Sequence, residues 1–206
     1  MSLQVKRGHM VKQEDRSAAT RTAIIAAAFE TFGGEGYADV SVDRIAARAG
    51  VAKGAVYHHF SSKDAVFEAV LESVSSGILT EVLAAISAGK DFWDVLALGN
   101  RAFFVACSDP ARSRILLHDG PAVLGWERWR RIDQRHFGGS LRKALSRAMD
   151  DGILVRKDVE VVSRVLLGAV TEAAISCTEA DDFMACADGY LDILGGMVAG
   201  LAVKPA

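Results

Sequence analysis

The stretch from Ser41 to Lys63, SVDRIAARAGVAKGAVYHHFSSK, constrains this chain more than any other. It reads as two short helices joined by a tight turn, with a third beginning at its end. Ser41 is placed to cap a helix over Val42 to Ala49, and Asp43 puts negative charge at that helix's positive end. Ile45 and Ala49, four residues apart with Ala46 beside them, form a narrow apolar stripe. Gly50 supplies the backbone freedom to stop the helix, and Val51 fills the corner. The second helix, about Ala52 to Phe60, buries Val56 and Phe60 and turns Lys53, Gly54, Tyr57 and His58 outward. Two helices around a short turn containing Gly make a helix-turn-helix unit.

Charge points the same way. From residue 44 to residue 63 the chain carries Arg44, Arg48, Lys53 and Lys63 and no acid, within a chain of formal net charge −2. This predicts a local basic surface on a slightly acidic protein. The alternative is an ordinary solvated helical hairpin in which Gly50 only caps a helix.

The ordered run Ser41, Ile45-Ala46, Ala49-Gly50-Val51, Gly54, Val56-Tyr57-His58-His59-Phe60 and Lys63 resembles the DNA-binding motif of the tetracycline-repressor (TetR) family. The resemblance covers about Ser17 to Val70. It implies an all-α chain with a three-helix DNA-binding head on a helical effector-binding and dimerisation body. It also implies a role as a transcriptional regulator that represses by occupying a palindromic DNA operator. Lys53 and Gly54 then stand where base edges are met, Tyr57 and His59 where phosphates are gripped, and His58 faces the groove. Ser41 and Val42 open the supporting helix, whose first amides suit a phosphate, and Lys63 stands at a helix start fit for the same task. Ser41 replaces a common Thr and keeps the hydroxyl. Ala55 stands where a polar residue is usual and removes one base contact. His59, between Val56 and Phe60, has a second reading as an inward-facing residue.

Around this motif, abundant Ala and only three prolines favour helix throughout. Residues 1–10 lack a helical period and end in Gly-His-Met, typical of a vector-derived scar, so a tag or disorder is expected there and a natural start at Met10. The head is expected over residues 11–62 and the body over 63–206. A first helix from about Ser17 to Phe32 buries Ile24, Ile25, Ala28, Phe29 and Phe32 and ends at Gly33, Gly34 and Gly36. Lys12 and Arg16 before it are within reach of a DNA backbone. Ser61 and Asp64 have capping-box spacing for a long helix from Lys63 to about Ala88. Its N-terminus leaves the DNA-reading unit directly, so it can act as a rod between body and head. Further helices are expected over about 91–107, 111–118 (ended by Asp119-Gly120-Pro121), 123–151 (loosened near Gly138-Gly139), 159–178 and 182–200.

Phe103, His118, Trp126, Trp129, Arg130, Phe137 and Glu172 are the candidates to line a site for a small, substantially apolar effector, with Phe92, Trp93 and Phe104 as further wall. Aromatic core is the plainer reading of each. Arg128, Arg130, Arg131 and Arg135 read as a solvated or ion-paired face with Glu127 and Asp133. Glu172, in an apolar run, must find a partner if buried. Val161, Val165, Gly168, Ala169, Ala173 and Ser176, with Tyr190, Leu191, Leu194 and Met197, give faces too apolar to leave bare. By the resemblance these last two helices pair two copies into a four-helix bundle. No apolar run of membrane-spanning length and no signal peptide is read, and the three cysteines lack paired spacing, so a reduced cytoplasmic chain is expected. Cofactor, metal and catalytic motifs are missing from the sequence: there is no GxSxG, HExxH, phosphate loop or dinucleotide fingerprint. An alternative regulator, whose body binds a protein partner instead of a small molecule, fits the same sequence.

Overall fold

A computed structural model describes the backbone of residues 3–204 and side chains from residue 16. The side chain of Lys12 lies outside that set, and the backbone is helical from Leu3, where a tag or disorder was expected before a first helix at about Ser17. Eleven α-helices account for the described chain: α1 (Leu3–Glu35), α2 (Val42–Ala49), α3 (Lys53–His59), α4 (Lys63–Ile86), α5 (Phe92–Cys107), α6 (Pro110–Ser113), α7 (Gly120–Leu124), α8 (Trp126–Asp133), α9 (Gly139–Asp150), α10 (Val159–Cys177) and α11 (Phe183–Ala199). Wide π-turns at Arg114–Asp119 and Gln134–Gly138 connect α6 to α7 and α8 to α9. Among the described residues there is no strand, only an isolated antiparallel bridge between Leu154 and Ala202. The architecture is all-α.

The chain forms two compact units, one ending at Ser73 and the next beginning at Val74. The division therefore falls inside α4, later than the boundary before Lys63 read from the sequence. Side chains explain the difference. Val66, Phe67, Val70 and Leu71 in the first turns of α4 are fully buried. Phe67 meets Phe32 and Tyr37 edge-on, at 5.4 and 5.3 Å between ring centroids. These turns are head core, together with Ile24, Ala28, Phe32, Val40, Ile45 and Val56.

α4 is also long and apolar enough, by length and composition, to cross a membrane, with mean hydropathy 1.5. This corrects the expectation that no apolar run of that length occurs. Glu68, Glu72 and Glu81 punctuate the helix, Val66, Phe67, Val70 and Leu71 are spent on the head core, Leu79, Val82 and Ile86 line the cavity described below, and Leu83 is exposed. That is the pattern of a core helix. Its N-cap is Ser62, whose Oγ accepts from the Ala65 amide at 3.1 Å, one residue later than the predicted Ser61.

In the second unit, Arg112 forks onto both oxygens of Glu81 at 2.8 and 2.9 Å, and Arg101 reaches Asp188 at 2.8 Å. Leu145, Ala148, Met149, Leu154, Leu166 and Val198 close one end of the bundle. Two predicted helix limits fail here. Asp119-Gly120-Pro121 does not stop a helix, because the π-turn leads into α7 through Gly120. The glycine serves close packing: a Cβ there would lie 2.7 Å from Trp129 Cδ1 and 3.0 Å from the Ile115 carbonyl oxygen. The single helix expected over 123–151 is interrupted at Gly125, whose φ of +74° glycine adopts freely. It is widened again at 134–138, next to the predicted loosening.

Candidate nucleic-acid interface and effector cavity

Local chemistry builds the helix-turn-helix. Ser41 is extended, and its Oγ accepts from the Arg44 amide at 3.2 Å, capping α2. Gly50 ends α2 in the left-handed region at φ +68°, and the Val51 amide returns to the Ala46 carbonyl at 3.0 Å. Nothing lies within 4 Å of where a Gly50 Cβ would stand, so backbone conformation, not space, calls for glycine. Ala52 is extended, which starts α3 at Lys53, one residue later than read. Val42, Ile45, Ala46, Val56 and Phe60 are buried. Val42 thus has only its backbone to offer a ligand.

The opposite face carries the predicted DNA-reading residues. Lys53, Gly54, Tyr57 and His58 are exposed, while Ala55 and His59 are half-buried. A Cβ on Gly54 would meet nothing within 4 Å, leaving room for a close approach to the backbone.

The charge pattern differs from the sequence reading. Lys53 Nζ pairs with Asp43 at 2.9 Å, Arg44 pairs with Glu35 at 2.8 Å, and Arg48 pairs with Glu30. The hydrogen bond to Asp43, helped by its charge, holds the Lys53 ammonium above its ordinary pKa. The acids lie just outside the window that looked purely basic, and the fold returns them to it. Exposed pairs of this kind are weak in water and easily exchanged for phosphate. Arg16 and Arg21 are exposed nearby in sequence, with the Arg21 guanidinium 5.1 Å from the Phe60 ring centroid.

Lys63 departs further from its expected phosphate contact. Its Nζ donates to the carbonyls of Tyr37 and Val40, both at 2.9 Å, and sits 4.0 Å from the centroid of the Tyr37 ring. It braces the α1–α2 loop from the start of α4. The Tyr37 hydroxyl donates to Asp64, and burial, then that hydrogen bond, pushes its pKa up to about 12.

The second unit contains an apolar cavity of about 110 Å³. Leu79, Val82 and Ile86 of α4 form one side, and Phe92, Val95, Leu96, Gly99, Asn100 and Phe103 of α5 another. Phe137, Ser140, Leu141 and Ala144 around the start of α9, with Leu167 and Val170 of α10, complete it.

Of the seven effector candidates read from sequence, Phe103 and Phe137 line this cavity and the other five do not. Trp129 is core, its Nε1 donating to the Leu116 carbonyl at 2.7 Å. Trp126 and Arg130 border a separate, arginine-rich groove of about 580 Å³ with Arg131, Arg142 and Arg164, the Arg130 guanidinium lying 5.4 Å from the Trp126 ring centroid. His118 is exposed, with Nε2 2.9 Å from Thr178 Oγ1. Glu172 is exposed and needs no buried partner. Phe92 lines the cavity as expected, Trp93 is exposed and Phe104 is core. Asp133, read as part of a charged surface, is instead 5 % exposed, and burial pushes its carboxyl up to about 7 against the opposing effect of Arg130. Among the described residues no group of His, Cys, Asp and Glu is arranged to hold a metal.

On α10 and α11, Val165, Tyr190 and Met197 are exposed as a partner-facing surface requires, and Gly168, Ala169 and Leu191 are half-buried. Ala173 and Leu194 are 2 % and 4 % exposed and pack within the subunit, so they leave the candidate interface. Ile193, which the sequence reading omitted, is the most exposed large apolar residue of α11, at 62 %.

Comparison with known proteins agrees with this geometry. Residues 24–70 match the profile of bacterial regulatory proteins of the tetR family, and residues 93–201 match the tetracyclin repressor-like C-terminal domain. The TetC protein of transposon Tn10 from Escherichia coli is 23 % identical over 195 residues, 93 % of this chain and 97 % of TetC. A TetR-family transcriptional regulator from Pectobacterium atrosepticum superposes with TM-score 0.79 at 29 % identity, covering 93 % of this chain and 98 % of that one. The regulator FadR from Bacillus subtilis, solved with stearoyl-CoA, shares the fold with TM-score 0.71 at 21 % identity, covering 87 % of this chain and 98 % of FadR. With both the reading head and the helical body matched, the chain belongs to the TetR family of DNA-binding transcriptional regulators.

Proposed function

We propose that the protein is a cytoplasmic repressor that binds a palindromic operator as a homodimer and is released by a small molecule held in its second unit. The outward face of α3 carries the DNA-reading part of the proposal. Lys53, once exchanged from Asp43, donates to a base edge or phosphate, Gly54 permits close approach, and Tyr57 and His58 meet sugar and phosphate. A twofold pair presents two such helices roughly 34–36 Å apart, matching successive major grooves. The exposed apolar residues of α10 and α11 support pairing through those helices.

Release rests on the cavity. Its wall includes α4, the helix whose first turns belong to the head. An occupant that fits one position of α4 better than another shifts the balance between DNA-competent and incompetent dimers by the ratio of its two affinities, and by no more. FadR's stearoyl-CoA is an example of a small-molecule ligand on this fold. A partly open apolar cavity between helices favours a small-molecule effector over a protein partner for the body.

Lys53→Ala and Tyr57→Ala test the assignment of the head. Each should abolish selective operator binding in a mobility-shift assay while helicity and oligomeric state stay unchanged. Operator affinity retained in both variants would remove this face of α3 from the DNA.

A further inference from the structure

The cavity's chemistry narrows the effector, on the reading that this is the effector site. No Asp, Glu, Lys, Arg or His is among the residues lining it. A charged group placed there would lose its hydration with no counter-ion to replace it, a cost no apolar contact offsets. Bound molecules are therefore uncharged where they enter the wall.

One residue breaks the apolar pattern in a way that calls for a ligand. Asn100 lies on α5 among Leu96, Gly99 and Phe103, half-buried in the cavity wall. Its carboxamide offers two N–H donors and a carbonyl acceptor. No hydrogen bond involves that side chain among the described residues. Packing against Leu96 and Phe103 gains nothing from such an amide, which is left to water or to an occupant of the cavity. Ser140, across on α9, donates over a long 3.4 Å to the Phe137 carbonyl and keeps its own lone pairs as acceptors.

Size gives the second limit. At about 110 Å³ the space is somewhat smaller than the cavity of roughly 150 Å³ that accepts benzene in an engineered lysozyme. One ring fills it, and anything longer extends through its open side or moves the walls. Beside the cavity α4 and α5 already meet closely: a Cβ at Gly99 would lie only 3.1 Å from Ile86 Cγ2.

We infer that the cavity takes a small uncharged molecule of about one ring, whose single hydroxyl, carbonyl or amide group hydrogen-bonds the Asn100 carboxamide. The ring occupies the apolar space against Leu79, Val82 and Ile86, and through them the occupant acts on α4.

Three probes of similar size test this with the full-length protein by ligand-observed NMR and calorimetry: p-cresol, toluene and benzoate. p-Cresol should bind, toluene more weakly, and benzoate not at millimolar concentration. Asn100→Leu should weaken p-cresol by about 3- to 10-fold, the worth of one neutral hydrogen bond, and leave toluene unchanged or tighter. Ala144→Phe, which fills the cavity, should abolish both with helicity unchanged, and Ser140→Phe serves the same purpose should that variant not fold. Benzoate binding as tightly as p-cresol, no binding by either neutral probe, or an Asn100→Leu variant that treats p-cresol as the wild type does would each overturn the inference. p-Cresol bound as described without releasing operator DNA would uphold the cavity chemistry and refute ligand release by this class.

Discussion

Lys63 separates two accounts of the head. As a phosphate grip it would contribute charge to DNA binding, whereas as a brace it contributes to the fold of the head. The structure gives its ammonium two carbonyl acceptors at 2.9 Å and a tyrosine ring face at 4.0 Å. Hydrogen bonds from a charged donor contribute about 1.5–3 kcal/mol each, and an exposed cation–π contact about 0.5–1 kcal/mol. Lys63 is only half-buried, so water replaces part of what is lost and the contributions do not add fully. Lys63→Met, which keeps most of the stem, should therefore cost the head about 2–3 kcal/mol. Amide hydrogen exchange reads this directly, as faster exchange in α2, α3 and the first turns of α4 with the second unit unaffected. The same variant is then titrated with DNA across a salt series. A brace leaves the slope of log K against log salt unchanged, while a lost phosphate contact lowers it by roughly 0.9. Unchanged protection in the head with a slope reduced by about one would refute the brace and restore the phosphate role.

Gly120→Ala should destabilise the second unit by about 1–3 kcal/mol, because the added methyl collides with the Trp129 ring and the Ile115 carbonyl; an unchanged urea midpoint would contradict the close-packing role. Asp133 has a folded pKa pushed up to about 7 by burial, so its contribution is full below the ordinary carboxyl pKa near 4 and is lost as pH rises through 7. Stability should fall between about pH 4 and pH 7, and Asp133→Asn should flatten that fall; an equally steep profile in the variant would sink the assignment. Val165→Glu with Ile193→Glu places charges on the bare apolar faces of α10 and α11 and should yield monomers by sedimentation. A dimer that persists would move the interface elsewhere.

The head was legible because its determinants are local. Ser41 caps, Gly50 turns left-handed, and Val56 and Phe60 bury one side of α3; each needs only its sequence neighbours. Its charge state was not legible in the same way. Glu30 and Glu35 sit on α1, outside the basic window, and only folding brings them to Arg48 and Arg44. The cavity was harder still. Leu79, Val82 and Ile86 have the helical spacing of any core face, and nothing in that spacing distinguishes a wall around space from a wall around another side chain. Conspicuous residues drew attention instead. Trp129 proved to be core with its indole N–H satisfied by a backbone carbonyl, and Trp126 and His118 are exposed. Asn100, polar on the same face of α5 as Leu96 and Phe103, was the available signal. Glu172 carried the opposite lesson: an apolar neighbourhood in sequence does not bury a residue that the helix turns outward. Gly120-Pro121 was read as punctuation, whereas its glycine is a packing contact with a residue nine positions on, which only the tertiary structure supplies.

The most direct test of the central claim is selection of bound sequences from a random pool of double-stranded DNA with the purified full-length protein, at a stated salt concentration. The account predicts enrichment of a palindrome whose half-sites lie about one helical turn apart, and loss of that enrichment with Tyr57→Ala. A pool that stays unenriched with wild-type protein, or a wild-type preference that survives Tyr57→Ala unchanged, would contradict it.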